Sequence, residues 1–234
     1  MRAKAKVSMS VNPKDVPALA MSTVDPPALA PLSVSDTYES RGLRLVVKYL
    51  QDRNEQKPER KQHVLDLGPA VIPNVEFLSR YNCRVQFEDI TDVISKLNSA
   101  LKSELTTVER VADDLFAHDP RVRFDVVLAW DLFNYLELGA IKALIERLGR
   151  FCKKGTVLFV FVRIAEEMPR RPTTFKFVDH HHLFYTVGSR NARPCPRYSV
   201  VDLMNQLSGF TVVRTYFMPN GMHEYLLRFR YRPG

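Results

Sequence analysis

The chain has 234 residues, 45% of them apolar, enough for one well-buried domain with a sizeable core and too few for two full-sized domains plus a tail. Its formal net charge of +8 comes from lysines and arginines spread along the chain, so it implies a general attraction to anions and singles out no partner. The apolar run TVLFVFV (Thr156 to Val162) is far short of the ~20 residues that a membrane-spanning helix needs, and a soluble protein with no membrane partner is expected.

Cys83, Cys152 and Cys195 are odd in number, widely separated and without CxxC spacing. This argues against a disulfide framework and a structural zinc site, and predicts reduced thiols in a cytoplasmic protein with no metal. At the amino end, Asn12, Pro13, Lys14 and Asp15 interrupt the place where a secretion signal would carry its apolar core.

Residues 1–34 carry Pro13, Pro17, Pro26, Pro27 and Pro31 among alanines and serines with no sustained period, which predicts a flexible arm ahead of a single domain over 35–234. Tyr38, Leu45, Val46, Tyr49 and Leu50 at helical spacing, behind a cap at Ser35 or Asp36, predict a first helix from about Asp36 to Arg53. A charged loop around Pro58 follows. From His63 onward, short β-branched runs alternate with amphipathic stretches, the pattern of a parallel sheet with crossover helices.

The predicted strands are HVLDL, RVQFED, VERVA, FDVVLAW and TVLFVFV. Pro73 is placed to open a helix holding Val75, Phe77, Leu78 and Tyr81. Val93, Ile94, Leu97 and Leu101 share one later helix face, and Leu138, Ile141, Leu144, Ile145 and Leu148 share another; both read as core stripes. Ser199 and Asp202 then form a capping-box pattern, with Gly209 where that helix should stop. TVVRTYF and EYLLRFRY, separated by little more than PNGMH, predict an antiparallel hairpin. The expected fold is α/β: a Rossmann-like, seven-stranded, mostly parallel sheet with a terminal antiparallel strand and helices on both faces.

Four stretches in this order, VLDLG (Val64 to Gly68), EDIT (Glu88 to Thr91), ADDLF (Ala112 to Phe116) and FDVVLAWDLFNYLE (Phe124 to Glu137), resemble the class I S-adenosylmethionine-dependent methyltransferases. The resemblance covers about His63 to Tyr231 and implies S-adenosylmethionine as cofactor. It implies a glycine-rich turn at Asp66, Gly68, Pro69 and Ala70, where a residue without a side chain lets the backbone approach the ligand and helix amides receive its carboxylate. It implies Glu88 or Asp89 on the ribose hydroxyls and Asp113 or Asp114 on the adenine amino group, with Leu115 and Phe116 against the ring. Trp130 begins the loop expected to run over the cofactor. Each position also has a plainer reading: an Asp at a strand end as a cap or turn, Asp66 as a buried hydrogen-bond acceptor, Trp130 as core.

The family turn usually repeats glycine at alternate positions, and here Ala70 and Ile72 stand where the second and third would be. A β-branched Ile72 cannot readily take a positive φ and is expected to narrow the approach to ligand. Pro69 and Pro73 stiffen the same segment, and the turn is expected to persist in altered form.

Methyl transfer is an in-line displacement that needs alignment, exclusion of water and, for some acceptors, removal of a proton. The long segment Arg163 to Arg197 has the character of a binding loop. In its HHHLFYT, similar to the family stretch bordering substrate, His181, His182 and Tyr185 are candidates for a proton acceptor or substrate wall. Alternatively the histidines face solvent or bond Asp179, and adjacent histidines lack the i, i+4 spacing of a helical metal pair. Arg163, Arg170, Arg171, Lys176, Arg190, Arg193 and Arg197 suit a small or anionic substrate; nucleic acid is less favoured, since no recognised RNA-binding motif accompanies the aromatic residues. The reading is a methyltransferase acting on a small or anionic acceptor; the alternative is a catalytically silent protein of that fold that binds a protein or nucleic acid.

Overall fold

The computed structural model describes residues 35–116, 119–196, 198–218 and 221–230, and the expected arm over 1–34 lies outside them. The first described element is a strand, β1 (Ser35–Glu39), and helix α1 (Arg41–Gln56) starts only after it. The expected helix start at Asp36 is therefore corrected: Ser40 is the cap, its hydroxyl oxygen accepting the Leu43 amide at 2.9 Å. Leu43, Val46, Val47 and Leu50 form the buried face of α1.

Next come β2 (Gln62–Asp66), α2 (Ile72–Ser79), β3 (Cys83–Phe87), α3 (Ile94–Ala100), α4 (Val108–Leu115) and β4 (Phe124–Trp130). After a 3-10 turn (Leu132–Tyr135) follow α5 (Leu138–Gly149) and the long β5 (Cys152–Arg163). The segment expected as a binding loop instead folds into β6 (Glu167–Pro169), β7 (Thr174–Phe177), β8 (His182–Thr186) and β9 (Ala192–Pro194). The chain closes with α6 (Val200–Gln206), β10 (Phe210–Phe217) and β11 (Met222–Phe229).

The main sheet runs β10-β11-β5-β4-β2-β3. Neighbours from β5 to β3 are parallel, and β11 pairs antiparallel with both β5 and β10, as the terminal hairpin predicted. The sheet has six strands rather than the expected seven. The missing one is VERVA, which lies in α4. The Thr107 side chain caps that helix by accepting the Arg110 amide at 3.2 Å, and Val108, Val111, Ala112 and Leu115 turn to the core at helical spacing. A cap and a 3.6-residue apolar period outweigh the strand preference of two valines.

Successive side chains of a strand point to opposite faces, and both faces here are covered, so β4 is buried along its whole length. Val127, Ala129, Leu158 and Val160 face the layer of α3 to α6, while Val126, Leu128, Trp130, Phe159 and Phe161 face α1 and α2. A second small sheet, β1-β8-β7, adds Phe175, Phe177 and Leu183 to that second core. The Ser199–Asp202 capping box forms as expected. Gly209, beyond the end of α6, has φ +84° and a ring carbon of Phe229 2.7 Å from where a Cβ would stand, so both conformation and space require glycine there. Among the described residues, no helix is long and apolar enough to cross a membrane.

Candidate functional site

In an open α/β sheet the groups that meet a ligand collect at the carboxyl ends of the strands. Here three such ends are joined by backbone bonds just past β2: Leu67 N–H donates to Leu128 O at 3.0 Å, Glu88 N–H to Asp66 O at 2.9 Å, and Ile90 N–H to Leu67 O at 3.1 Å. Asp66 closes β2 as a buried carboxylate. Its Oδ1 accepts the Gly68 amide at 2.9 Å and the Trp130 indole Nε1–H at 2.6 Å. Its Oδ2 is buried without a hydrogen bond, with the Asn74 side chain near enough to ease its charge. Burial raises the Asp66 pKa to about 6, against the opposing effect of the Trp130 and Gly68 bonds. Asp66 is thus the acceptor that fixes the turn.

Gly68 is needed for space rather than for its φ, which is not among the positive ones. An added Cβ would stand 3.0 Å from Trp130 Cδ1 and 3.2 Å from its Nε1. The approach expected at Gly68 was that of the cofactor; the group that stands against it here is the indole. Pro69 is half-buried, Ala70 is exposed, and α2 begins at Ile72 with Pro73 in its first turn. Ile72 is 73% exposed and lies in a helix, so the expected narrowing of the turn by its side chain does not arise. The N-cap residue Val71 supplies no side-chain acceptor to the first turn of α2.

Trp130 is only 3% exposed and has φ +49°, a left-handed conformation that a bulky residue adopts only when its surroundings hold it. Those surroundings are aromatic: its ring stacks on Phe175 at 5.3 Å and 12°, and on Phe161 at 6.3 Å and 26°, with Phe177 and Phe159 beside it. The plainer reading, core packing, is the one realised. Strand β7 closes over this cluster. Asn74 donates to Phe175 O at 3.1 Å and accepts the Phe177 amide at 3.0 Å, while the buried Asp131 accepts the Thr173 amide at 3.1 Å. Sequence reading passed over Asn74 and Asp131; the signal available was a polar residue inside an otherwise apolar stretch directly after a turn or strand.

Glu88 is half-buried and Asp89 exposed at the end of β3, beside Asp66, and Asp89 Oδ1 accepts the Thr91 amide at 2.9 Å to form a turn. Asp113 and Asp114 lie elsewhere. With no third strand in that place, both are exposed on α4, and Asp113 pairs with Arg147 at 3.0 Å. Arg147 donates to Phe116 O and covers the Phe151 ring, whose backbone oxygen accepts the amide of Phe124 at the start of β4. Asp113 and Asp114 therefore belong to the amino ends of the strands, across the sheet from Asp66. The His182 ring takes the hydrogen-bonded alternative, its Nδ1 lying 2.8 Å from Asp179 Oδ2, and Asp179 also accepts the backbone amides of His181 and His182 at 2.8 and 2.7 Å. Tyr185, on β8, pairs with Asp36 of β1 and Phe175 of β7 and lies beside the Tyr38 ring.

A cavity of about 170 Å³ opens at the carboxyl end of β5, lined by Asn134, Arg163, Ile164, Cys195, Tyr198 and Val200 among others. Asn134 accepts the Arg163 amide at 2.9 Å and Tyr198 donates to Phe133 O at 2.7 Å, so both walls are fixed to the turn after β4. Arg193 extends the basic side, donating to Asn134 O at 3.2 Å and lying over the Tyr135 ring. Burial raises the Cys195 thiol above its ordinary pKa, keeping it protonated.

No family model matches the chain, and no curated protein matches it by sequence. Solved structures do resemble it. An S-adenosylmethionine-dependent methyltransferase from Clostridium acetobutylicum is 11% identical over 82% of this chain and 92% of its own, with a TM-score of 0.42. The 1,6-didemethyltoxoflavin-N1-methyltransferase of Burkholderia thailandensis is 15% identical over 81% and 79%, with a TM-score of 0.41. Magnesium protoporphyrin IX methyltransferase from Synechocystis is 12% identical over 81% and 80%, with a TM-score of 0.40.

Proposed function

We propose that the carboxyl ends of β2, β3 and β4 seat S-adenosylmethionine and that the protein methylates a small anionic acceptor held in the cavity beside Arg163. The observation that carries this is the unit at the end of β2: a buried carboxylate, a glycine where a side chain would crowd its neighbours, and a helix start without a side-chain cap. The polar groups at these strand ends suit the cofactor. The partly unpartnered Asp66 and the backbone of Gly68, Pro69 and Ala70 would border its amino-acid end, and the α2 amides would receive its carboxylate. Glu88 and Asp89, at the next strand end, would take the ribose hydroxyls.

Bound there, the cofactor supplies a methyl carbon made electrophilic by its sulfonium. The chain's own part is to exclude water with the aromatic cluster around Trp130 and to balance the acceptor's charge with Arg163. His182 is turned to Asp179, so the reading assigns no proton transfer to it.

Calorimetric titration with S-adenosylmethionine and S-adenosylhomocysteine, on the wild type and on Asp89→Ala, tests the seat. Micromolar binding is expected, weakened about tenfold in the variant, the scale of one hydrogen bond to a charged group. No binding at millimolar ligand would overturn the enzyme reading in favour of a silent protein of this fold, for which the indole against Gly68 already supplies a steric reason.

A further inference from the structure

We propose that the turn between β7 and β8 is a binding site for a divalent ion of the zinc class, ligated by Asp179, His181 and His182. In a regular strand, neighbouring side chains point to opposite faces, so adjacent histidines would not share a ligand. Here the turn removes that obstacle. Val178 N–H donates to His182 O at 3.0 Å, and Asp179 Oδ1 accepts the amides of both His181 and His182, which folds the carboxylate back over the residues that follow it. The two imidazoles then meet the same carboxylate: His182 Nδ1 lies 2.8 Å from Oδ2 and His181 Nδ1 lies 3.4 Å from Oδ1. Their ring centroids are 4.1 Å apart, and one ligand atom from each of the three residues can be chosen so that all lie within 4.8 Å of one another. Binding would draw those atoms in to the ~2.0–2.2 Å reach of a common ion.

The donor set decides the class of ion. Two imidazole nitrogens and one carboxylate suit zinc, cobalt or nickel better than calcium or magnesium, which prefer oxygen. Three protein ligands leave positions for water. All three residues are partly exposed, which gives the ion a way in, yet the His181 Nδ1 atom itself is buried without a hydrogen bond. The turn is also anchored from outside, since the Ser40 amide at the start of α1 donates to His181 O at 2.7 Å.

The test uses the full-length chain without an affinity tag, stripped with a chelator and titrated with Co²⁺ while visible absorption is followed, then competed with Zn²⁺. One saturable equivalent is expected. His181→Gln and His182→Gln should each weaken it at least about tenfold, and His180→Gln should leave it unchanged. These variants keep the Asp179 turn, and circular dichroism verifies that they are folded. Uptake that does not saturate, exceeds one equivalent, or survives the double His181→Gln/His182→Gln variant overturns the proposal, as does no uptake. None of these readouts depends on S-adenosylmethionine, so failure here is distinct from failure of the cofactor seat.

Discussion

Replacing Asp66 by Asn separates the charge of this buried group from its hydrogen bonds. In the folded protein burial raises its pKa from 3.8 to about 6, although Trp130 and Gly68 donate to it. Between those values the folded state holds a proton that the unfolded chain has released. The Asp66 contribution to stability is therefore fully present below about pH 4 and is lost as pH rises through about 6. A shift of roughly two units, at about 1.4 kcal/mol each, makes the loss about 3 kcal/mol. In Asp66→Asn the side-chain oxygen still accepts both bonds and the charge is gone, so this loss should disappear. Trp130 is the only tryptophan in the chain and donates to Asp66 itself, so its fluorescence reports both unfolding and local ionisation. The assay is urea unfolding of wild type and variant at pH 5 and pH 7.5, an interval that holds about half of that loss, about 1.4 kcal/mol, because the remainder falls between about pH 4 and 5. Other groups titrate too, His63 and His223 with pKa lowered by burial and Asp131 raised to about 6, but they are common to both proteins and cancel in the difference. A stability gap between wild type and variant that stays the same at the two pH values would refute the reasoning.

Two further substitutions probe the packing and the turn. Gly42→Ala would place a Cβ 2.5 Å from the fully buried Phe159 ring and 2.9 Å from Glu224 Oε2, so it should cost about 1–3 kcal/mol in urea unfolding; a change below about 0.5 kcal/mol would contradict the tight fit. Ile72→Ala, at an exposed position of α2, should leave stability within about 0.5 kcal/mol and S-adenosylmethionine affinity unchanged by calorimetry; a tenfold change in affinity would mean that this side chain meets the ligand after all.

The elements legible in the sequence were those whose signals are local. The apolar runs of β4 and β5, the Ser199–Asp202 box of α6 and the helix opened by Pro73 all stand where periodicity and capping put them. VERVA misled because two valines and strand spacing spoke louder than the Thr107 cap, and with it went the placement of Asp113 and Asp114. Strand β1 was illegible for a different reason: SDTYE has no internal alternation and is a strand because β8 offers it an edge. The Asp179–His181–His182 cluster escaped because metal spacing rules describe helices, whereas a tight turn brings neighbours together through its backbone bonds.

The turn after β2 shows where glycine is required and where it is not. A repeat of glycines is needed only where the backbone takes positive φ or where another group presses on the α-carbon. Neither holds at Ala70 or Ile72: neither has a positive φ, both are exposed, and Ile72 already lies in α2. The second condition does hold at Gly68, where a Cβ would stand only 3.0 Å from the Trp130 ring. Ala70 and Ile72 stand where the geometry tolerates a side chain, and Gly68 stands where the geometry is tight. Substitution at this turn is therefore informative at one position: a side chain at Gly68 would press on the indole, the donor that holds Asp66 at the end of β2, and shift it by a few tenths of an ångström.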